Sequence, residues 1–145
     1  MTGHDQPIYD LILQVRATFN ALKAHSDAMI QDLGVTAAMR AVLEILFAEG
    51  PNTVPRIAEA KSVTRQHIQM LADALAAREL VRFAENPGHK RSKLLDLTGA
   101  GRALFTTIRE REASDLARLA AQFDPEALTK SADLLRTLRQ KLSAE

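Results

Sequence analysis

The sequence predicts a mainly α-helical fold: a winged helix-turn-helix domain with a two-stranded β-hairpin wing, flanked by N- and C-terminal dimerisation helices. Three observations predict it. Residues 62–98 hold an apolar stripe at helical spacing (Ile68, Leu71, Ala72, Leu75, Ala76), followed at once by two alternating runs around Asn86-Pro87-Gly88. A short capped helix precedes that stripe by only three residues, Lys61-Ser62-Val63, which is the spacing of a helix-turn-helix. The excess of cations over acids falls in the central stretch that contains these elements.

Each element follows from local pattern. From about Pro7 to Asp32 the chain reads as one long helix. Ile8, Leu11, Ile12, Val15, Phe19 and Leu22 form one stripe, and Tyr9, Leu13, Ala17, Ala21, Ala24 and Ala28 form a narrower second one. A helix apolar on more than one side has more than one neighbour, and a partner chain is one candidate. Gly34 breaks the pattern, and Thr36 caps a second helix over 37–49. Ala38, Val42, Ile45 and Leu46 on one face and Met39, Leu43 and Phe47 on another make that helix the expected centre of the core. Gly50-Pro51 ends it. Thr53 caps a short helix, Val54 to Ala60, with Pro55 in the first turn, where a missing N–H costs little.

Thr64 then caps the helix of the apolar stripe, its hydroxyl placed to accept from free first-turn amides. Leu80 to Ala84 and Lys93 to Leu97 alternate as an outgoing and a returning strand. Thr98 caps a long helix to about Gln122, and Asp124-Pro125 opens a last one. In that last helix Leu128, Ala132, Leu135, Leu138 and Leu142 follow a spacing near seven over two repeats. A terminal helix of this kind has little of its own domain left to cover it, and homodimerisation through the terminal helices is the economical explanation. The expected partition of the 145 residues is 1–33 and 102–145 as dimerisation helices and 34–101 as the winged lobe.

The formal net charge of +1 conceals a division along the chain. Residues 1–52 carry three cations against six acids, whereas residues 53–93 carry eight cations against four. A basic module between acidic or neutral helices is the electrostatic footprint of a nucleic-acid binder. Other classes are disfavoured. There is no cysteine, which excludes disulfides, thiolate catalysis, cysteine-based zinc sites and cysteine redox sensing. The histidines at 4, 25, 67 and 89 are scattered, and no metal site is expected. Gly99-Ala100-Gly101 lacks the preceding strand and following lysine of a phosphate loop and reads as the first turn of a helix. No nucleophile elbow is present, so neither an enzyme nor a cofactor is expected. The first thirty residues hold acids among the apolar positions, which argues against a signal peptide or membrane span and leaves a cytoplasmic location.

The candidate DNA-binding residues lie on two elements. Arg65, Gln66, His67 and Gln69 occupy the exposed side of the first two turns after Thr64, almost without acids, as a helix meeting phosphates and base edges requires. Thr53 and Thr64 join them at the helix starts. His89, Lys90 and Arg91 at the hairpin tip can reach along a phosphate backbone. The bland alternatives are the solvated side of a surface helix and an ordinary charged loop.

The order of elements resembles the MarR family of bacterial transcriptional regulators over nearly the whole chain. The matching pieces are Thr36, Thr53-Val54 with Ile57-Ala58, Val63-Thr64-Arg65-Gln66, Leu75, Leu80-Val81-Arg82, and Arg91 to Leu97 followed by Thr98-Gly99-Ala100-Gly101. The resemblance implies a homodimer on a double-stranded, pseudo-palindromic DNA operator, with recognition helices in successive major grooves and wings in the flanking minor grooves. It also implies a repressor released by a small aromatic effector bound between the dimerisation and DNA-binding parts. Phe19, His25, Met39, Arg40 and Phe47, with Arg109, lie on segments that would border such a pocket; core or surface roles are the alternative. Two positions depart from the family pattern. His89 stands where the wing usually carries an acid, and Glu79 stands where a glycine commonly precedes the Leu-Val-Arg strand. A winged-helix dimer that binds another protein and has lost operator reading remains the alternative function.

Overall fold

Four threonines set the starts of four helices. A threonine hydroxyl accepts from an amide left free in the first helical turn, and this fixes where the helix begins. In the computed structural model, which describes residues 2–89 and 91–144, Thr36 accepts from the Met39 amide at 3.1 Å and opens helix α2, Ala37–Glu49. Thr53 accepts from Arg56 at 3.4 Å and opens α3, Val54–Lys61. Thr64 accepts from His67 at 3.1 Å and opens α4, Arg65–Ala77. Thr98 accepts from Gly101 at 3.0 Å at the start of α5, Gly99–Ala120. The first helix, α1, runs Gln6–Ile30 and tightens into a 3₁₀ turn, Gln31–Leu33, before Gly34 takes a φ of +68°. The last helix, α6, runs Pro125–Ser143 with Asp124 as its cap.

The sheet has one strand more than the expected hairpin. Strand β2, Val81–Ala84, pairs antiparallel with β3, Leu94–Leu97, so that Val81 faces Leu97 and Arg82 faces Asp96. A two-residue strand β1, Asn52–Thr53, adds to the other side of β3, giving the order β1-β3-β2. Two residues are too few to show an alternation, and Thr53 reads locally as a cap, so the strand leaves no periodic signal.

Two compact units are distinguished, Met1–Ile108 and Arg109–Glu145, with α5 running from the first into the second. The core of the first is built from Val42, Leu43 and Leu46 of α2, Ile57 of α3, Ile68 and Leu75 of α4, Leu95 of β3, and Phe105 and Ile108 of α5. Helix α2 is its centre, as its two apolar faces predict. The core continues past residue 101, because Phe105 and Ile108 are fully enclosed. Gly101 explains how α5 reaches that depth: a Cβ there would lie 1.9 Å from the Leu80 carbonyl oxygen, so only a glycine lets the helix approach the start of β2.

The terminal helices differ from this core. Only Ile30 is buried in α1, and no residue of α6 is buried within the chain. Of the large hydrophobics that stand exposed, all but Val63 and Met70 belong to α1 or lie between Leu116 and Leu142. On each unit by itself, exposed apolar side chains of this kind suit burial against another surface.

Candidate nucleic-acid interface

The sequence sets one side of α4 toward solvent. Ile68, Leu71, Ala72 and Leu75 are buried, which leaves Arg65, Gln66, Gln69, Met70 and Asp73 on the opposite, exposed side. Helix α3 ends at Ser62, which takes a left-handed φ of 54° and donates its amide back to the α3 carbonyls of Ala58 and Glu59. That reversal lets α4 begin at once and sets the two helices against each other.

The wing is organised at both ends. At its base, Arg82 and Asp96 form a cross-strand ion pair at 3.5 Å in direct register. At its tip, the Asn86 side chain accepts from the Gly88 amide at 3.2 Å, and the Asn86 carbonyl accepts from His89 at 3.1 Å. The tip therefore turns without the acid that His89 replaces. Lys90 lies outside the described residues.

Between α3, the start of α4 and the wing lie two adjoining cavities. One, of about 610 Å³, is lined by Arg65, Gln66 and Gln69 of α4 and by Phe83, Arg91 and Lys93 of the wing, with Val54 and Pro55 beneath. The other, of about 560 Å³, brings Thr53, Arg56 and Arg65 together with Asn86 and His89. Among the described residues no acid lines either cavity. A concavity walled by cations and amides, with no carboxylate to neutralise them, concentrates positive potential and suits a polyanion.

Six of the nine positions expected to face DNA, Thr53, Arg65, Gln66, Gln69, His89 and Arg91, line these two cavities; Thr64 and His67 of α4 line neither, and Lys90 is the ninth. Thr53 and Thr64 use their hydroxyl oxygens as helix caps. A capping hydroxyl still has its O–H to donate, so a phosphate oxygen can be met from the same side chain. His67 is only half exposed and sits nearer the core side than Arg65 or Gln66. Lys93, Arg56 and Met70 were not singled out in the sequence. Met70 carried a signal, since it lies one turn after Gln66, yet it reads as core by residue type and is 59% exposed.

No family model matches the chain. It is 33% identical over 135 residues to an uncharacterized protein of Mycobacterium tuberculosis, covering 93% of this chain and 94% of that one. The HTH-type transcriptional repressor MdtR of Bacillus subtilis is 26% identical over 140 residues, covering 97% and 90%. The crystal structure of the MarR family transcription regulator SP03579 superposes with a TM-score of 0.91 at 27% identity, covering 99% of this chain and 95% of that one. The chain is similar over nearly its whole length to MarR family transcription regulators.

One departure from the MarR pattern, already visible in the sequence, has a backbone counterpart. Glu79, at the position where glycine is common, adopts a left-handed φ of 58° just before β2. The reversal from α4 into the strand puts this residue in the left-handed region, which glycine takes without strain.

The residues expected to border an effector pocket are distributed unevenly. Arg40 and Phe47 of α2 belong to one cluster with α5. The Phe47 and Phe105 rings are 5.0 Å apart, Arg40 lies over the Phe105 ring at 5.7 Å, and Arg102 lies over Phe47 at 5.3 Å. Arg40 also pairs with Glu44 at 2.7 Å. Met39 packs half-buried against the core. Phe19 and His25 stand exposed on α1, and none of these five residues lines either cavity described above. No helix among the described residues is long and apolar enough to cross a membrane.

Proposed function

We propose that this chain is a homodimeric, sequence-specific DNA-binding repressor acting in the cytoplasm, without catalytic activity of its own. One observation carries the reading: the first turns of α4 and the wing hold Arg65, Gln66, Gln69, Arg91 and Lys93 around a single concavity that no acid lines among the described residues. Helix α4 enters the major groove, where Gln66 and Gln69 meet base edges and Arg65 meets phosphate or guanine. The wing, with Arg91 and the tip residues His89 and Lys90, follows the backbone into the adjacent minor groove. Residues 34–101 act as the DNA-binding lobe, and the segments 1–33 and 102–145 join two copies. The exposed apolar faces of α1 and α6 support the terminal segments as the joining parts, while the lobe's core also draws on Ile30, Phe105 and Ile108 from them.

A dimer reads a pseudo-palindrome when its two recognition helices stand about one turn of DNA apart, ~34 Å. A small aromatic effector bordered by Phe19, His25, Met39, Arg40 and Phe47 releases the operator if it binds better to a dimer with a different spacing. Arg40 and Phe47 supply chemistry suited to an aromatic anion, a guanidinium and a ring that both contact the Phe105 ring.

Selection of bound sequences from a pool of randomised duplex DNA at moderate salt tests this. The expected result is an inverted repeat with half-sites about one helical turn apart. Recovery of no motif, with binding that vanishes as salt rises, overturns the reading in favour of a winged-helix dimer whose partner is a protein.

A further inference from the structure

On the exposed side of α4, the Gln69 amide nitrogen donates to the Asp73 carboxylate at 2.9 Å, one helical turn further on. Neither residue is part of the core, and both lie on the face that carries Arg65, Gln66 and Met70. An acid on this face is unexpected, since it opposes phosphate.

We propose that Asp73 is a positioning residue that holds the Gln69 amide in one orientation and thereby makes Gln69 selective for adenine. This rests on the reading of α4 as the recognition helix. An ionised carboxylate has no proton to donate, so only the NH₂ end of the amide can face it. The flip of Gln69 is thereby fixed. One of its two N–H bonds is taken by Asp73, leaving the oxygen and one N–H to display. An acceptor beside a donor is the complement of adenine in the major groove, which offers the N6 amine and the N7 acceptor. An unheld glutamine presents either end and discriminates less. The price of the acid is repulsion of the phosphate backbone, which lowers affinity for all sequences alike.

The two effects of Asp73 have opposite signs, and this separates them from a structural role. The full-length chain, its Asp73→Asn, Asp73→Glu and Gln69→Ala variants and the Gln69→Ala/Asp73→Asn double variant are each put through selection and then titrated against the best duplex and a scrambled one. Exposed pairs of this kind contribute little to helix stability, so all five proteins fold, which thermal unfolding checks. Gln69→Ala is expected to lose about tenfold or more of adenine preference at one half-site position. Asp73→Asn weakens the same preference several-fold while raising affinity for scrambled DNA, with the salt dependence unchanged because no cation–phosphate contact is gained. Asp73→Glu, still an acceptor only, keeps most of the preference. In the Gln69→Ala background Asp73→Asn changes no base preference. A wild-type motif that Asp73→Asn leaves intact overturns this inference alone, as does an Asp73→Asn effect that persists without Gln69. A wild type that selects no motif overturns the DNA-reading function and this inference with it.

Discussion

Gly101 lies against the carbonyl of Leu80 so closely that a Cβ on it would stand 1.9 Å from that oxygen. The same carbonyl accepts from the Thr98 amide at 3.1 Å, so it cannot turn aside without breaking that bond. Backbone on both sides leaves no flexible group to yield. Gly101→Ala is therefore expected to destabilise the fold by about 3 kcal/mol, the upper part of the usual range for overpacking. Denaturant unfolding reads this directly. A loss under 0.5 kcal/mol, the range of ordinary surface substitutions, would show that α5 shifts without cost.

Glu79 presents the opposite case, a side chain where glycine would do better. Its φ of 58° is the left-handed region, which costs a residue with a Cβ roughly 1–2 kcal/mol. Its backbone is fixed on both sides: the amide donates to Ala76 at 2.9 Å, and the carbonyl accepts from the Thr98 hydroxyl at 2.6 Å. Replacing it by glycine removes the strain and adds unfolded-chain entropy of about 0.5–1 kcal/mol. The net expected from Glu79→Gly is a gain of about 0.5–1 kcal/mol, visible as a raised midpoint in thermal unfolding with DNA binding unchanged. A lowered midpoint contradicts the strain argument.

The contrast between these two glycine questions shows what was legible in the sequence. Threonine caps at 36, 53, 64 and 98 were readable because capping is local, and all four accept the expected amides. The stripe Ile68, Leu71, Ala72 and Leu75 was readable because burial repeats with the helix, so the exposed polar side of α4 followed by exclusion. The close approach of Gly101 to Leu80 joins residues 21 apart and leaves no periodic trace. Strand β1 was hidden for a related reason, since two residues carry no alternation and its partner Leu94–Leu95 lies some forty residues on. Met70 was missed because its residue type suggests core, and only its register with Gln66 betrays the exposed side.

Arg78 supplies another long-range contact that no local pattern encodes. Its guanidinium donates to the Gly34 carbonyl at 2.6 Å and to the Leu33 carbonyl at 2.8 Å, tying the residue after α4 to the turn after α1. Hydrogen bonds from a charged donor are worth roughly 1.5–3 kcal/mol when shielded and less when exposed, as here. Arg78→Ala is expected to cost about 1 kcal/mol of stability. It should also raise hydrogen exchange at the start of α2 above that elsewhere in the lobe. Arg78→Lys, which presents one point charge and no fork, recovers only part of the effect. Uniform exchange in the alanine variant would argue that the brace is incidental.

The exposed apolar face of α6 predicts the outcome of a single charge. Leu135 is 42% exposed and Leu142 is 67% exposed, although both follow a heptad-like spacing. If a second copy covers them, Leu135→Glu forfeits burial worth about 2 kcal/mol and introduces a desolvated charge. Sedimentation of the wild type should give a dimer at micromolar concentration, and the variant a dissociation constant raised by more than tenfold. The helical content of the variant should stay near that of the wild type. An unchanged dimer would place the interface elsewhere.

Base and phosphate contacts differ in how salt affects them, and that difference assigns the two walls of the concavity. Arg91 and Lys93 come from the wing and face Arg65, Gln66 and Gln69 across it. Among the described residues Arg91 has no ion pair to break before it meets a phosphate. Each phosphate neutralised releases counterions, so removing one such contact lowers the slope of log affinity against log salt by about 0.9. Arg91→Ala and Lys93→Ala are thus expected to weaken operator and scrambled DNA equally and to flatten the salt dependence. Gln66 is uncharged and releases no counterion. Gln66→Ala should leave the slope untouched and cost about 1–3 kcal/mol on the operator alone. Titrations of the three variants at several salt concentrations decide the matter. Equal losses on both DNAs from Gln66→Ala would move α4 out of the groove, and an unchanged slope in both wing variants would detach the wing from the backbone.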